Sequence, residues 1–378
     1  MSRNRVNRPP APASSWAALH PRHWGWETWF LGAVPVAIVA AILELPAVVR
    51  FGAAGLAIIP LAGLMGRGTE ALAHRLGPGI GGLLNATFGN AAELILALLA
   101  LRRGLDGVVK ASLTGSIIGN LLLVLGASLL AGGIKYPVQR FNRTVAGSGA
   151  TLMVLASVGM LIPALFHWMV GPGEAGLEHK LSLSVCVVLI CTYGLNLLFN
   201  LVTHKDLFGV TEPHSPDKAG VWTIRRATTV LMVATAFVAW MSEILVGAVE
   251  EASRSLGVNE VFMGVIVVAI VGNAAEHSTA ILMAMKNQMD LAVGIALGSA
   301  LQVALFVAPV LVFASYLRPA RGPMDLLFTT FEVVSVILAA IVARMAAEDG
   351  ESNWLEGAML LMVYVILAIA FFLLPVPG

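Results

Sequence analysis

Apolar runs alternate with short polar connections from residue 29 almost to the C-terminus. The runs fall near 29–46, 50–67, 80–101, 107–131, 144–166, 180–203, 223–248, 260–285, 290–315, 324–345 and 355–375. Each approaches the ~20 residues that a helix needs to cross the hydrocarbon core. The pattern predicts an all-α polytopic membrane protein with about eleven transmembrane helices. The most polar connection is His204–Trp222, with Lys205, Asp206, Glu212, Pro213, Pro216, Asp217 and Lys218. It is short for an independent domain and reads as a solvated linker.

Composition strengthens this picture. Of 378 residues, 58% are hydrophobic and only 12% charged, where soluble domains carry roughly twice that charge. The net charge of +1 gives no ground for a nucleic-acid partner. Cys186 and Cys191 are five apart in one apolar run, on different faces of a helix, and read as packing residues. Residues 1–27 are basic, Pro-rich and broken by Trp16, Trp24 and Trp26. They lack a short apolar stretch with a cleavage site, so they read as a cytoplasmic tail.

Lys and Arg set the orientation. With the N-terminus in the cytoplasm, fifteen of the 23 basic residues lie inside and eight outside. Arg102, Arg103, Lys110, Arg318 and Arg321 run against the bias. An odd number of spans puts the C-terminus outside.

Charge inside the apolar runs carries the candidate chemistry. Gly-Asn-Ala-Ala-Glu occurs twice, at Gly89–Glu93 and Gly272–Glu276, and Gly-Ser recurs at Gly115-Ser116 and Gly298-Ser299. Both echoes are 183 residues apart (89 to 272, 115 to 298). A carboxylate at membrane depth is costly and marks a functional site. One leading span followed by two sets of five makes the halves enter the bilayer in opposite directions. That is an inverted repeat, which brings paired motifs to one central site. The expected segments are a tail (1–27), a leading helix (28–49), a first five-helix repeat (50–203), a cytoplasmic linker (204–222) and a second repeat (223–378).

Glycine and asparagine loosen helical hydrogen bonding, and freed carbonyls survive at this depth only beside a cavity. Gly89 lies one turn before Glu93, and Gly272 one turn before Glu276. Two carboxylates, two carbonyls and water make a hard oxygen set that suits Ca²⁺. The bland alternative is close helix packing by small residues; the in-register duplication favours the site.

Asn85, Thr87, Asn90, Asn273, Ser116, Asn120, Ser299 and Gln302 are expected to line the cavity or support the ligands. Val303 stands where Asn120 would recur, and His277 where the first half has Leu94. His277 is therefore a candidate for proton coupling, together with Glu93 and Glu276. Glu70 and Glu243 are candidates for the ion path, with capping or interfacial roles weighing equally. Glu332 reads as a local hydrogen-bonding group rather than a ligand.

At these residues a resemblance becomes specific. Gly81-Gly-Leu-Leu-Asn-Ala-Thr-Phe-Gly-Asn-Ala-Ala-Glu93, Ala111-Ser-Leu-Thr-Gly-Ser116 and Leu121-Leu-Leu-Val-Leu-Gly126 resemble the first signature repeat of the Ca²⁺/H⁺ exchangers. These form the cation/proton exchange branch of the calcium/cation antiporter superfamily. Val271-Gly-Asn-Ala-Ala-Glu-His277, Ala284-Met-Lys-Asn-Gln-Met-Asp290 and the stretch from Gly298 to Pro309 resemble the second. The resemblance implies eleven spans in two inverted five-helix repeats, Ca²⁺ bound between Glu93 and Glu276, and alternating access. Many relatives carry an acidic segment between the halves; here the linker holds only Asp206, Glu212 and Asp217.

The expected activity is Ca²⁺/H⁺ antiport, so the chain is a secondary transporter rather than an enzyme. Ca²⁺ and H⁺ are its substrates, the bilayer is its environment, and no cofactor is expected. A homo-oligomer is compatible with this reading. The expected location is a bacterial inner membrane, with an acidic-organelle membrane as the alternative. Rival readings are a Na⁺- or K⁺-coupled or Mn²⁺-preferring exchanger and, more distantly, an intramembrane metal hydrolase using Glu276-His277. The hydrolase lacks a His-Glu-x-x-His pattern.

Overall fold

The computed structural model describes residues 30–171, 175–204, 222–318 and 322–375. The tail, nearly all of the linker and Arg321 lie outside the described residues. The helices are α1 (Ala33–Ile42), α2 (Ala47–Leu76), α3 (Pro78–Phe88), α4 (Ala91–Arg103), α5 (Asp106–Lys135), α6 (Arg143–Val170) and α7 (Gly176–Thr203). After the linker come α8 (Ile224–Leu256), α9 (Glu260–Gly272), α10 (Ala274–Met285), α11 (Met289–Ser315), α12 (Thr330–Ala346) and α13 (Trp354–Phe372). Seven of them are long and apolar enough to span: α2, α5, α6, α7, α8, α11 and α13. The pair α9–α10, bent by 60° at Asn273, makes an eighth candidate.

Local chemistry sets the ends. The side chains of Asn142, Thr223 and Asn353 accept the first free amides of α6, α8 and α13. Thr329 and Glu332 close a capping box at α12. Gly257, with φ 67°, ends α8 in the left-handed region. Two predicted spans shift for such reasons. The first was expected over 29–46, but α1 stops at Ile42, followed by Glu44 at φ 49° and Pro46. The tenth was expected from 324, but 322–329 is irregular and the helix starts only after the Thr329 cap. Conversely, α2 runs past the expected end at 67, so Arg67 and Glu70 are helical.

Burial separates centre from rim. In α5 and α11, 72% and 78% of the most apolar window is buried; in α7 and α13 the shares are 17% and 28%. The rim helices turn Leu195, Val202 and Ile366 outward, as a lipid-facing surface requires. Two long helices, α2 and α8, pack closely together.

Among the described residues, the ion pairs between helix ends join ends that the predicted alternation puts on one face. On the face assigned as outer, Arg50 bonds Glu251 (2.9 Å) and Arg103 bonds Glu243 (2.5 Å). There Lys110 bonds Asp325 and the Leu327 carbonyl, and Arg318 grips Asp106 with both guanidinium nitrogens (2.8 and 3.0 Å). On the opposite face β1 (Gln139–Arg140) pairs antiparallel with β2 (Glu351–Ser352), and the Asn142 amide bonds Asp290 (2.6 Å). Arg103, Lys110 and Arg318 had blurred the orientation bias. Each is neutralised by a carboxylate of its own face.

The halves also echo one another in irregularity. A break at Gly89-Asn90 separates α3 from α4, and one at Asn273 separates α9 from α10. The later helix of each half widens to π geometry, over Gly119–Val124 in α5 and Val303–Val307 in α11. Such local widening is common at functional sites.

Candidate functional site

Each break is made by an asparagine held outside helical geometry. Asn90 has φ −101° and ψ 29°; Asn273 has φ −99° and ψ 6°. Both lie in or near the sparsely occupied bridge region. Helical bonding resumes beyond each break: Asn90 O accepts from Leu94 N (3.0 Å) and Asn273 O from His277 N (2.9 Å). Among the described residues no backbone amide donates to the Gly89 carbonyl. Glu93 and Glu276 thus fall in the first turns of α4 and α10, where helix dipoles favour negative charge.

The second break lies directly against Glu93. A Cβ on Gly272 would stand 3.1 Å from Glu93 Cγ. Glu93 is buried, and its Oε1 accepts from both Ser116 Oγ and Asn273 Nδ2. Asn273 Nδ2 also reaches Ser116 Oγ (2.9 Å) and the Ala269 carbonyl (2.9 Å).

From there a polar chain crosses to the first break. Asn120 Nδ2 donates to Asn273 Oδ1 (3.2 Å) and Ser299 Oγ (2.9 Å). Ser299 Oγ donates to Asn90 Oδ1 (3.2 Å), and Asn90 Nδ2 returns to the Ser299 carbonyl (3.3 Å). Four helical segments and both breaks are joined by side chains that carry no charge except at Glu93. A buried polar chain of this kind favours one arrangement because every lost partner leaves a costly orphan.

Some oxygens remain open. Glu93 Oε2 and Glu276 Oε2 are both buried and without a hydrogen-bond partner, as is His277 Nε2. The two glutamates lie close enough for their charges to interact. A narrow cavity is bordered by Glu93, Ser112, Ser116, Ala269, Gly272 and Val307. Glu276 does not border it. Glu276 and His277 are half-buried on the opposite side of Asn273. Among the described residues no group of three or more His, Cys, Asp or Glu gathers to hold a metal. A cation here would need carbonyl, amide and water oxygens beside the two carboxylates, which suits a hard ion passing through.

Other predicted positions fall elsewhere. Gly89 does not mirror Gly272: its Cβ position is 3.2 Å from Gln302 Oε1 rather than beside a glutamate. Thr87 Oγ1 bonds back to its own helix at Leu83 O (2.9 Å) and Leu84 O (3.1 Å), and Asn85 is exposed on α3. Glu70 is exposed on α2, while Glu243, past the middle of α8, is tied to Arg103. Glu332 is buried in its capping box, with Thr114 Oγ1 at 3.3 Å from Oε1. Ser112, which borders the cavity, was not singled out from sequence; its place four residues before Ser116 on one face of α5 was the available signal.

The family model described as sodium/calcium exchanger protein matches the chain twice, over residues 46–202 and 226–373. The chain is 46% identical to a Ca²⁺/H⁺ antiporter of Aphanothece halophytica, covering 91% of this chain and 95% of that protein. It is 48% identical to the Ca²⁺/H⁺ antiporter ChaA of Bacillus subtilis, covering 90% and 97%. Among solved structures, native YfkE superposes with a TM-score of 0.80 at 45% identity, covering 92% of this chain and all of that one. The H⁺/Ca²⁺ exchanger CAX shares the fold, with a TM-score of 0.69 at 12% identity over 92% and 91% of the two chains.

Proposed function

Because the chain belongs to the sodium/calcium exchanger protein family, we propose that it exchanges Ca²⁺ for H⁺ across a membrane, with Glu93 and Glu276 as one shared site. It is an integral membrane secondary antiporter and not an enzyme; Ca²⁺ and H⁺ are its transported substrates. The observation that carries the site is the contact of Glu93 with the opposite half. Its Oε1 is held by Ser116 and Asn273, its flank lies on Gly272, and its Oε2 is left buried and open.

Coupling follows from charge. Two carboxylates in a poorly solvated space require a counter-charge. One Ca²⁺ or two protons supply it equally, and the pair titrates as a unit. A site loaded with either ion is neutral and can pass between faces; an empty, doubly charged one resists. The freed Gly89 carbonyl, the Gly272 carbonyl and water complete the oxygen shell. Asn90, Asn120, Asn273, Ser116, Ser299 and Gln302 steady the ligands, and His277 relays protons to Glu276.

The same reading counts α1, the α3–α4 and α9–α10 pairs and α12 as crossings, giving eleven spans with the five-helix halves 50–203 and 223–378 inverted. The N-terminus lies in the cytoplasm and the C-terminus outside. A bacterial inner membrane fits the bacterial relatives, although a vacuolar calcium ion transporter of Schizosaccharomyces pombe, 39% identical over 90% of this chain and 83% of that protein, is also similar.

The test is ΔpH-driven uptake of radioactive Ca²⁺ into proteoliposomes. Glu93→Gln and Glu276→Gln each bring uptake to background. Normal uptake in either variant overturns the site. Replacing the trans proton gradient by Na⁺ or K⁺ leaves wild-type uptake at background; sustained uptake would reassign the counter-ion. Competition by Mn²⁺ distinguishes the ion preference.

A further inference from the structure

Two helix crossings flank the site, and a shift of 183 residues relates them (Gly115 to Gly298, Ala111 to Gly294, Gly264 to Gly81, Val265 to Gly82). Only one of the two is closed. Where α5 crosses α9 the backbones touch. A Cβ on Gly115 would collide with the Val265 carbonyl, and one on Gly264 would stand 2.5 Å from the Ala111 Cβ. Met263, Gly264, Val265 and Val268 are buried along this seam. It seals the face assigned as outer.

The counterpart crossing, α11 with α3, is open. Gly294 and Gly298 are exposed, and nothing lies within 4 Å of where a Cβ on either would sit. Their partners by symmetry are occupied elsewhere. Gly81 packs on Ala73 of α2, its Cβ position 2.7 Å from the Ala73 carbonyl oxygen. Gly82 packs on Leu201 of α7, at 2.5 Å. Ile80 and Leu83 of α3 are exposed, whereas Met263 of α9 is buried and Ile266 partly so. Gly298 directly precedes Ser299 of the polar chain, and Glu276 is half-buried on this same side of Asn273. Gly294 and Gly298 thus face open space, a crevice on the side of the site away from the closed seam.

We propose that Gly294 and Gly298 are the landing surface of a second seam, on which α3 docks through Gly81-Gly82 when α9 leaves α5. The inference rests on the antiporter reading above and assigns transport roles to two glycines that touch nothing in the present state. The physics is that of small residues at membrane helix crossings: without a Cβ, two backbones approach closely enough to exclude water and ions. Since α5 and α9 close through Gly115 and Gly264, the matching glycines of α11 and α3 can close in the same way. A methyl group on Gly298 finds open space now but holds the second seam apart. It leaves the present state intact and withholds the other, and the exchange cycle needs both.

The experiment compares Gly298→Ala and Gly294→Ala with wild type in the same proteoliposomes, with Gly147→Ala as control. Gly147 also has open space around it and lies on α6, which forms neither crossing. Wild-type uptake checks the antiporter reading; the glycine variants check the seam. Thermal melting of each variant stays at the wild-type value, uptake falls about tenfold or more in Gly298→Ala, and Gly147→Ala transports normally. A second readout places a single cysteine at Ile80, exposed now where its counterpart Met263 is buried in the closed seam, in a Cys186→Ala, Cys191→Ala background and follows its reaction with a membrane-impermeant maleimide. Adding Gly298→Ala speeds labelling about threefold or more, because the crevice stays open for more of the time. Normal uptake in both alanine variants, reduced uptake with unchanged labelling, or a loss of folding by Gly298→Ala would each overturn the proposal.

Discussion

Glu93 and Glu276 end the same pentapeptide, yet their surroundings differ. Glu93 is buried, held through Oε1 by Ser116 and Asn273, and pressed against Gly272 of the other half. Glu276 is half-buried, and the glycine expected beside it, Gly89, lies against Gln302. Part of this difference is written into the chain, since Val303 replaces the Asn120 amide and His277 stands where Leu94 would. The rest belongs to the packing, because Gly115 and Gly264 bring α5 and α9 into backbone contact while Gly294 and Gly298 of α11 meet nothing. A duplicated motif guarantees equal side chains, not equal environments.

The largest expected effect treats the two sites alike: removing either charge, as Glu93→Gln or Glu276→Gln, takes uptake to background. A variant that kept half the wild-type rate would show that one carboxylate suffices and break the pairing. The next effect separates the halves. Asn273→Ala removes the donor to Glu93, Ser116 and Ala269 together and orphans buried acceptors, costing about 1–3 kcal/mol in thermal melts. Asn90→Ala, at the far end of the polar chain, costs about 1 kcal/mol or less. Equal losses would mean that the two breaks are equivalent.

Gly115→Ala probes the closed seam. The added methyl meets the Val265 backbone and lowers stability by about 1–3 kcal/mol, and it makes a cysteine at Val265 reactive toward water-soluble maleimide. An unchanged melt and a silent cysteine would show that the seam yields without opening. The smallest effect falls on His277→Ala. Uptake drops only a fewfold at its optimum, while the pH–rate profile changes shape. A profile superimposable on wild type would remove the proton-relay role and leave the glutamates as the sole proton carriers.

Much of this architecture was legible beforehand. The apolar runs located the helices, and the Gly-Asn pairs marked both breaks, because residues that loosen a membrane helix need a local reason. The site was legible in part. Glu93, Asn90, Asn120, Asn273, Ser116 and Ser299 do meet, as their positions on facing segments suggested. Thr87 was misleading because a threonine hydroxyl satisfies itself on its own preceding turn, a bond that polarity along the sequence does not reveal. Glu243 was ambiguous because its partner, Arg103, is 140 residues away.

By itself the sequence determined that this is a helical membrane protein, that it is doubled, and that each half carries one costly carboxylate behind a weakened turn. Those properties follow from hydropathy, spacing and charge, which are local or periodic. Only the tertiary structure decided which carboxylate is enclosed, which glycines touch backbone and which meet nothing. Identical motifs 183 residues apart cannot carry that information. It depends on how the two halves lean on one another, which no local or periodic property of the chain records.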